Sequence, residues 1–544
     1  GRVRIDNTHS EYEGKLYASS SNTLTDGSSQ GHYTVNNGQY SQTYADVLVN
    51  INKRIQDFTI VANIGASYSG VTSKELGYAG PIRETGIPNL FNVYDLDNAK
   101  KRATQVGWRE ATESIFASAE VGWKSMLYLT VTGRNDWASQ LTHSPQASFF
   151  YPSVGLSAVI TEILKLPDWV DYLKVRGSFS SVGNPYPRFL TYPTYSYDAN
   201  KQDWKSQTNY PIGKLYPERT DSWEVGLDAT LFKDFKLSGS FYYANTYNQT
   251  FYADLSLSSG YSNIPIQSGN IMNEGLEMSL GYNKQWKDFS FNTNYTLTWN
   301  KNRVKRLADG VYNYATGQPI QMPELSPLTY GHTDARLILR VGGSMGDVYG
   351  QRLLKRDLNG YILNEEGVGL AMENKETYLG SILPKMNMGW SLGFGYKGVN
   401  LGMTFTGRFG GIVISETQSV LDAAGVSKVS ADVRDAGGVQ INQSKVSAQT
   451  YYQTIQGTAA YYTYSATNVR LGELSLSYTL PKKWFDNKVG MTVGLVGKNL
   501  WMIYCKAPFD PELTTSAASN FYQGFDAYML PSTRNFGFNV KFQF

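Results

Sequence analysis

The last eleven residues, RNFGFNVKFQF, constrain the fold more than any other stretch. Phe536, Phe538, Val540, Phe542 and Phe544 alternate with Gly537, Asn539, Lys541 and Gln543. A period of two is the signature of a β-strand with two unlike faces. One face here is strongly apolar and the other is polar. A soluble sandwich strand also alternates, but it rarely does so as a naked row of aromatic rings. A strand with lipid on one side and a wet lumen on the other has this pattern.

Composition agrees with a membrane barrel. Of the 544 residues 14% are aromatic, including 40 Tyr, so the chain can furnish aromatic girdles at two membrane interfaces. The mean hydropathy of −0.36 is no objection, because every second residue of such a strand is polar. No run of about 18 apolar residues is present, which argues against a membrane helix. A net charge of +3 is too small to suggest nucleic acid as a partner. The single Cys505 excludes an internal disulfide. The chain starts at Gly1 without a leader and reads as a fragment or processed chain.

Alternating segments recur from about residue 41 to the end. Leu127, Leu129 and Val131 alternate with Tyr128, Thr130 and Thr132; Trp223, Val225 and Leu227 oppose Glu224, Gly226 and Asp228. Phe289, Phe291, Tyr295, Leu297 and Trp299 oppose Ser290, Asn292, Asn294, Thr296 and Asn300. Roughly 16 such segments are expected, each near the ~9–11 residues that a tilted strand needs to cross a bilayer. Tight turns are expected near Lys53–Asp57, Lys233–Asp234, Lys287–Asp288 and Lys397–Gly398. Long connections are expected near 70–110, 183–218, 303–337, 356–383, 411–464 and 504–532. Short turns on one side and long loops on the other are the asymmetry of an outer-membrane barrel, and the long loops would lie outside the cell. The expectation is an all-β fold, an antiparallel transmembrane β-barrel, over residues 1–544 without an internal linker.

Several segments, in order, resemble the C-terminal part of the SusC/RagA family, the TonB-dependent outer-membrane transporters of Bacteroidetes. They include LTVTGRNDWAS (129–139), FYPSVGLSAVITE (150–162), DYLKVRGSFSSVGNP (171–185) and YPERTDSWEVGLDATLF (216–232). GNIMNEGLEMSLGY (269–282), VRLGELSLSYTLPKKW (469–484) and GKNLWMIYCKAPFDPEL (497–513) continue the series. The terminal strand, Phe536 to Phe544, is similar to the assembly signal of bacterial outer-membrane barrels. The family barrel has about 22 strands. The resemblance therefore implies a C-terminal portion of about 16, with the plug, the TonB box and the earliest strands outside this sequence.

The resemblance implies nutrient import across the outer membrane. A SusD-like lipoprotein would close on the loops as a lid, and TonB would act through the N-terminal part. Two such transporter–lipoprotein pairs would associate as a dimer. An oligosaccharide is the first cargo reading and an oligopeptide the second. A passive structural or adhesive barrel is the reading from another class. No catalytic residue is assigned.

Motifs associated with chemistry have plainer readings. Gly342–Gly346 matches G-x-S-x-G, but no helix pattern or later His follows, so it reads as a turn into a strand at Val348–Leu353. Gly393–Gly398 matches G-x-G-x-x-G, but a second alternating strand follows it, Leu401 to Phe409. Asp357-Leu358-Asn359-Gly360 echoes a calcium loop, with Val368 where a bidentate Glu belongs. A structural calcium there is the only metal expectation, and no other cofactor is expected. The four His are too scattered for zinc. Candidate lumen-facing charges are Arg134, Asp136, Lys174, Arg176, Glu224, Asp228 and Glu277. Candidate loop aromatics for ligand or lid are Trp204, Tyr210, Tyr216, Tyr261, Tyr461 and Tyr462.

Overall fold

The computed structural model describes every residue except 199–201, 213–214, 256–257, 259, 308–323, 366–368, 514 and 516–519. A 16-stranded antiparallel sheet dominates it. Its strands are β1 (Arg2–Leu16), β2 (His32–Ile55), β3 (Phe58–Pro81), β4 (Arg102–Trp123), β5 (Leu127–Ala138) and β6 (Ser148–Val159). They continue as β7 (Val170–Asn184), β8 (Glu218–Leu231), β9 (Phe235–Asp254), β10 (Asn263–Trp286) and β11 (Phe289–Arg306). The last are β12 (Met386–Tyr396), β13 (Val399–Phe409), β14 (Asn468–Leu480), β15 (Gly490–Cys505) and β16 (Asn535–Gln543). Each strand pairs with the next, and β1 and β16 are the two ends of the sheet.

This meander puts its connections alternately at opposite ends of the sheet. Short ones occupy 56–57, 124–126, 232–234, 287–288 and 397–398, with slightly longer ones at 160–169 and 481–489. At Lys397–Gly398 both φ angles are positive, 46° and 89°, as a two-residue hairpin of the type I′ class requires. At the other end lie 17–31, 82–101, 139–147, 185–217, 255–262, 307–385, 410–467 and 506–534. The asymmetry expected from sequence is present, and all four expected tight turns are there.

Two expectations need correction. Strands begin at Arg2 rather than near residue 41, and many exceed the expected length: β2, β3 and β10 have 24 residues each. About half of the stretch expected as a loop at 70–110 is ladder, with Gly70 opposite Ala111 and Ala79 opposite Arg102. The reason is physical. In β2 to β4 only the lower part carries a sustained apolar period. The upper part is mostly polar on both faces, and hydrogen bonds to its neighbours hold it.

The long connections have a fold of their own. A four-stranded sheet joins Glu324–Thr329, Arg336–Arg340, Asp347–Leu354 and Met372–Ser381. Three helices follow at Glu416–Ala423, Lys428–Asp435 and Ala448–Ile455. Ser415, Ser427 and Ser447 cap them, each side chain accepting a hydrogen bond from the backbone N–H three residues on. Tyr330, Leu337, Val348, Ile382, Ile414, Ala459 and Phe525, from far-apart segments, form one buried cluster. Leu354, Ile441, Tyr452, Ile455 and Tyr462 form another. This assembly is called the crown below.

Candidate functional site: the polar face and the crown

Register shows which face of the wall meets lipid. Residues directly opposite in an antiparallel pair share a face. Phe179, Trp223, Tyr243 and Glu274 form one such row, and Val225, Phe241, Leu276 and Trp299 another. Leu129, Val131, Val154, Leu156, Val225, Phe241 and Leu276 are all exposed on this face although strongly apolar. Rings bound the apolar band. Near the short turns stand Phe58, Trp123, Trp169, Phe232, Phe235, Trp286, Phe289, Tyr396 and Trp484. Towards the crown stand Trp137, Phe150, Trp223 and Trp501. On β11 the two girdles are ten residues apart, Phe289 to Trp299. At ~3.4 Å per residue and a tilt of ~40°, that spans about 26 Å, the height of a barrel's apolar band. Phe536, Phe538, Val540, Phe542 and Phe544 are exposed, and the first four extend this face through their pairing with β15.

All seven candidate lumen charges lie on the opposite face, in two groups. On β5 the Arg134 Nε donates to Asp136 Oδ1 (2.7 Å) and its Nη2 donates to Ser114 Oγ (2.8 Å). The Tyr151 hydroxyl donates to the other Asp136 oxygen, and the Phe116 ring lies beneath the guanidinium. On β7 and β8, Arg176 pairs with Glu224 at 3.2 Å and reaches Asp228 at 4.0 Å. It can span both because Gly226 stands between them: a Cβ there would sit 2.7 Å from the guanidinium carbon. Ser238 Oγ donates to Asp228 (2.7 Å). Lys174 stands opposite Asp228, and Glu277 opposite Ser240 and Thr298. Further round, small neutral groups predominate, Ser279, Asn292, Asn294, Thr296 and Asn539, with Glu473 paired to Lys498 at 3.8 Å. Such a surface offers many weak hydrogen-bonding groups and few fixed charges.

The loop aromatics divide by environment. Tyr195–Asp198 pairs antiparallel with Asp203–Ser206, and Tyr197 and Trp204 are cross-strand partners, edge to face at 5.3 Å. Trp204 is 66% exposed, and Tyr195 and Tyr197 are exposed beside it. Tyr210 and Tyr216 are exposed, and Tyr210 meets Tyr261 edge to face at 5.1 Å. In contrast, Tyr462 is 2% exposed, and Tyr461 packs against the same cluster and accepts a hydrogen bond from the Leu354 N–H (3.1 Å). Burial pushes the Tyr462 phenol well above its ordinary value. Those two rings hold the crown together.

The hairpin loop is anchored below. Leu141, Phe149, Tyr186, Leu190 and Leu215 pack together at the upper ends of β5 and β6. The Arg188 guanidinium lies 3.7 Å from the centre of the Trp108 ring and 2.5 Å from Glu110. The loop thus presents its rings from a fixed base. None of this anchoring was read from sequence; the Arg188 and Trp108 contact joins residues far apart in the chain and had no local signal. The three serine caps did have one, a Ser before each short helix.

The remaining motifs lie in turns. Gly342–Gly346 is the turn between two crown strands, and the Ser344 hydroxyl meets Asn302 and Ser381, each at 3.4 Å. Gly393–Gly398 is the end of β12 and its turn. In the Asp357 turn the carboxylate accepts from the N–H groups of Asn359 and Tyr361, both 2.9 Å, and so caps its own loop. Val368 lies outside the described residues.

Comparison with known proteins agrees with this geometry. Residues 2–500 match the family model for TonB dependent receptor-like, beta-barrel proteins. TonB-dependent receptor P3 of Formosa agariphila is 24% identical over 518 residues, covering 88% of this chain and 50% of the relative. TonB-dependent receptor P26 of the same organism is 24% identical over 506 residues, 84% of this chain and 48% of the relative. The chain spans about half the length of the curated relatives it matches. Among solved structures, that of the RagAB peptide transporter superposes with a TM-score of 0.73 at 17% identity, covering 99% of this chain and 58% of that one. The lipid-facing band, the one-sided crown and the match over most of the sequence place this chain, an outer-membrane protein, in the TonB-dependent receptor-like β-barrel family.

Proposed function

We propose that the protein supplies the wall and outer crown of a TonB-driven importer that works with a SusD-like lipoprotein and takes up oligosaccharides. The observation that carries the reading is the exposed aromatic hairpin at the mouth. Tyr195, Tyr197 and Trp204 offer flat apolar faces to solvent from a loop fixed at its base, and sugar rings stack on such faces. The same exposed rings suit a protein lid, since aromatic anchors dominate protein interfaces. Behind them the polar face provides a wet lumen, and TonB would act through sequence outside these residues. An oligopeptide is the second reading, favoured by the likeness to the RagAB peptide transporter.

The test is native mass spectrometry of the full-length protein extracted from its own outer membrane. A co-purifying lipoprotein with ligand masses at hexose spacing is the expected result. Heterogeneous peptide masses would replace the glycan with a peptide. A barrel with neither lipoprotein nor cargo would overturn the importer reading and leave a structural or adhesive barrel. Deleting 195–206 should abolish lipoprotein or cargo retention while the wall stays folded. Undiminished retention would show that the hairpin is not the contact.

A further inference from the structure

The wall has a seam just outside the upper girdle. The β11–β12 ladder ends at Trp299 and Met386. Beyond it, Asn300 N–H reaches the Lys385 carbonyl (3.1 Å), and Val304 exchanges two backbone hydrogen bonds with Gly342 and Gly343 (2.8 Å each). In the interval side chains bridge instead of the backbone ladder, Asn302 Oδ1 accepting from the Met345 N–H (2.7 Å). A cavity of about 780 Å3 opens there, lined by Trp299, Lys301, Arg303 and Lys385 among others.

The outward positions of β11 change chemistry at this level. Leu297 and Trp299 belong to the apolar face, and the next three outward residues are Lys301, Arg303 and Lys305. All three are exposed, whereas Val304 between them is fully buried. Lys301 pairs with Glu274 (3.0 Å), and Lys305 donates to the Tyr243 hydroxyl (2.7 Å). Arg303 donates through Nε to the Gly342 carbonyl (3.3 Å) and forms no ion pair among the described residues. Lys385 is exposed and likewise forms no ion pair among them. Asp347, the carboxylate lining the cavity, is occupied by the Ser344 N–H (2.8 Å) and the Tyr378 hydroxyl (3.1 Å), and burial raises its pKa.

We propose that this seam binds the phosphorylated sugar headgroup of an outer-leaflet glycolipid, with Trp299 against the sugar and Arg303 and Lys385 on the phosphate. The position selects a lipid: the cavity continues the lipid-facing band at the level of its headgroups, on the side of the long loops. The chemistry selects an anionic, sugar-based headgroup. A guanidinium and an ammonium that form no ion pair among the described residues complement phosphate, and an indole complements a sugar ring. Trp299, Lys301 and Arg303 lie on the outer face of the wall, so the proposal does not depend on what cargo is carried.

The test uses the full-length protein in nanodiscs of phosphatidylethanolamine with added lipid A, released into native mass spectrometry. The wild-type protein should retain lipid A, and Arg303→Gln with Lys385→Gln should reduce retention about tenfold or more. Heat-modifiable migration on gels would check that the variant is folded. Lys482→Gln, at the opposite short-turn side, should leave retention unchanged. Equal retention by the folded double variant, or none by the wild type, would overturn the proposal. Retention of dephosphorylated lipid A to the same extent, or displacement by millimolar inorganic phosphate, would overturn it too. The first shows that phosphate is not read, and the second assigns the seam to a soluble anion.

Discussion

Between its two girdles the protein turns apolar side chains outwards, and in the crown it turns them towards one another. Leu129 and Leu337 show the contrast. Leu129 is on β5 and 44% exposed; Leu337 is in the crown sheet and fully buried. In water the first would be an error and the second ordinary. With lipid around the wall and water around the crown both follow one rule, since each side chain leaves water. The two regions also differ in how polar groups are satisfied. In the wall they face a wet interior in loose pairs such as Arg176 with Glu224. Where the crown meets the wall a charged pair is instead buried, Arg470 with Asp510.

The largest expected effect tests that last difference. Arg470 and Asp510 are buried together, Nη1 and Nη2 each donating to one carboxylate oxygen (2.9 and 2.8 Å), and Asn468 Oδ1 accepts from the same guanidinium. Burial, the largest single influence, would raise the Asp510 pKa, but the hydrogen bonds from Arg470 and the Glu512 N–H and the Arg470 charge together outweigh it, and the pKa is lowered from 3.8. Arg470→Ala leaves a buried carboxylate without its cation and should cost about 3–5 kcal/mol, freeing 506–534 from β14. Hydrogen exchange across that loop would register it, and unchanged protection would break the contrast. Because the folded pKa is depressed, this contribution is complete above about pH 4 and is lost as pH falls through the lower folded value. Acid should therefore loosen 506–534 before the wall.

Next comes a matched pair. Leu337→Ala opens a cavity in a packed cluster and should cost the crown about 2–5 kcal/mol. Leu129→Ala removes atoms on a half-exposed side chain with fluid lipid on its open side, so no closed cavity forms and the cost should stay under ~1 kcal/mol. Limited proteolysis of the crown and heat-modifiability of the wall would read the two separately. Comparable losses would mean that the lipid face is packed against protein. Charge then reverses the order at the wall. Val131, midway between the girdles on β5, should cost about 2–4 kcal/mol as Val131→Arg, measured by unfolding into denaturant from bilayers.

The same contrast explains what could be read in the sequence. The wall was legible because lipid imposes a period of two on every strand: Phe289 to Trp299 can be placed by eye, and the seven charges share the polar faces of their strands. The upper parts of β2 to β4 were not legible, because water on both faces imposes no period. The crown was hidden for another reason. Tyr330, Ile414 and Phe525 meet from segments more than 80 residues apart, and nothing local announces that meeting. Tyr461 and Tyr462 looked like loop rings for that reason and are core. The site was half visible. Trp204 could be named, but the Arg188 and Trp108 contact that fixes its loop could not.

The smallest effect sharpens the wall's own electrostatics. Gly226 lies beneath the Arg176 guanidinium, and a Cβ there would displace only the flexible end of that side chain. Gly226→Ala should therefore shift Arg176 off Glu224 and Asp228 without moving the backbone. The side chains are 34% and 43% exposed, and such bridges are worth ~0–1 kcal/mol. Alanine also favours the folded strand over glycine by roughly 0.5–1 kcal/mol, since glycine loses more freedom on folding. The two terms oppose, so the net change should be near zero. A double-mutant cycle separates them. In an Arg176→Met background the bridge is already gone, so Gly226→Ala should stabilise by its full backbone gain. If Gly226→Ala has the same effect in both backgrounds, Arg176 does not use the space the glycine leaves, and the three charges are independent groups on a wet wall.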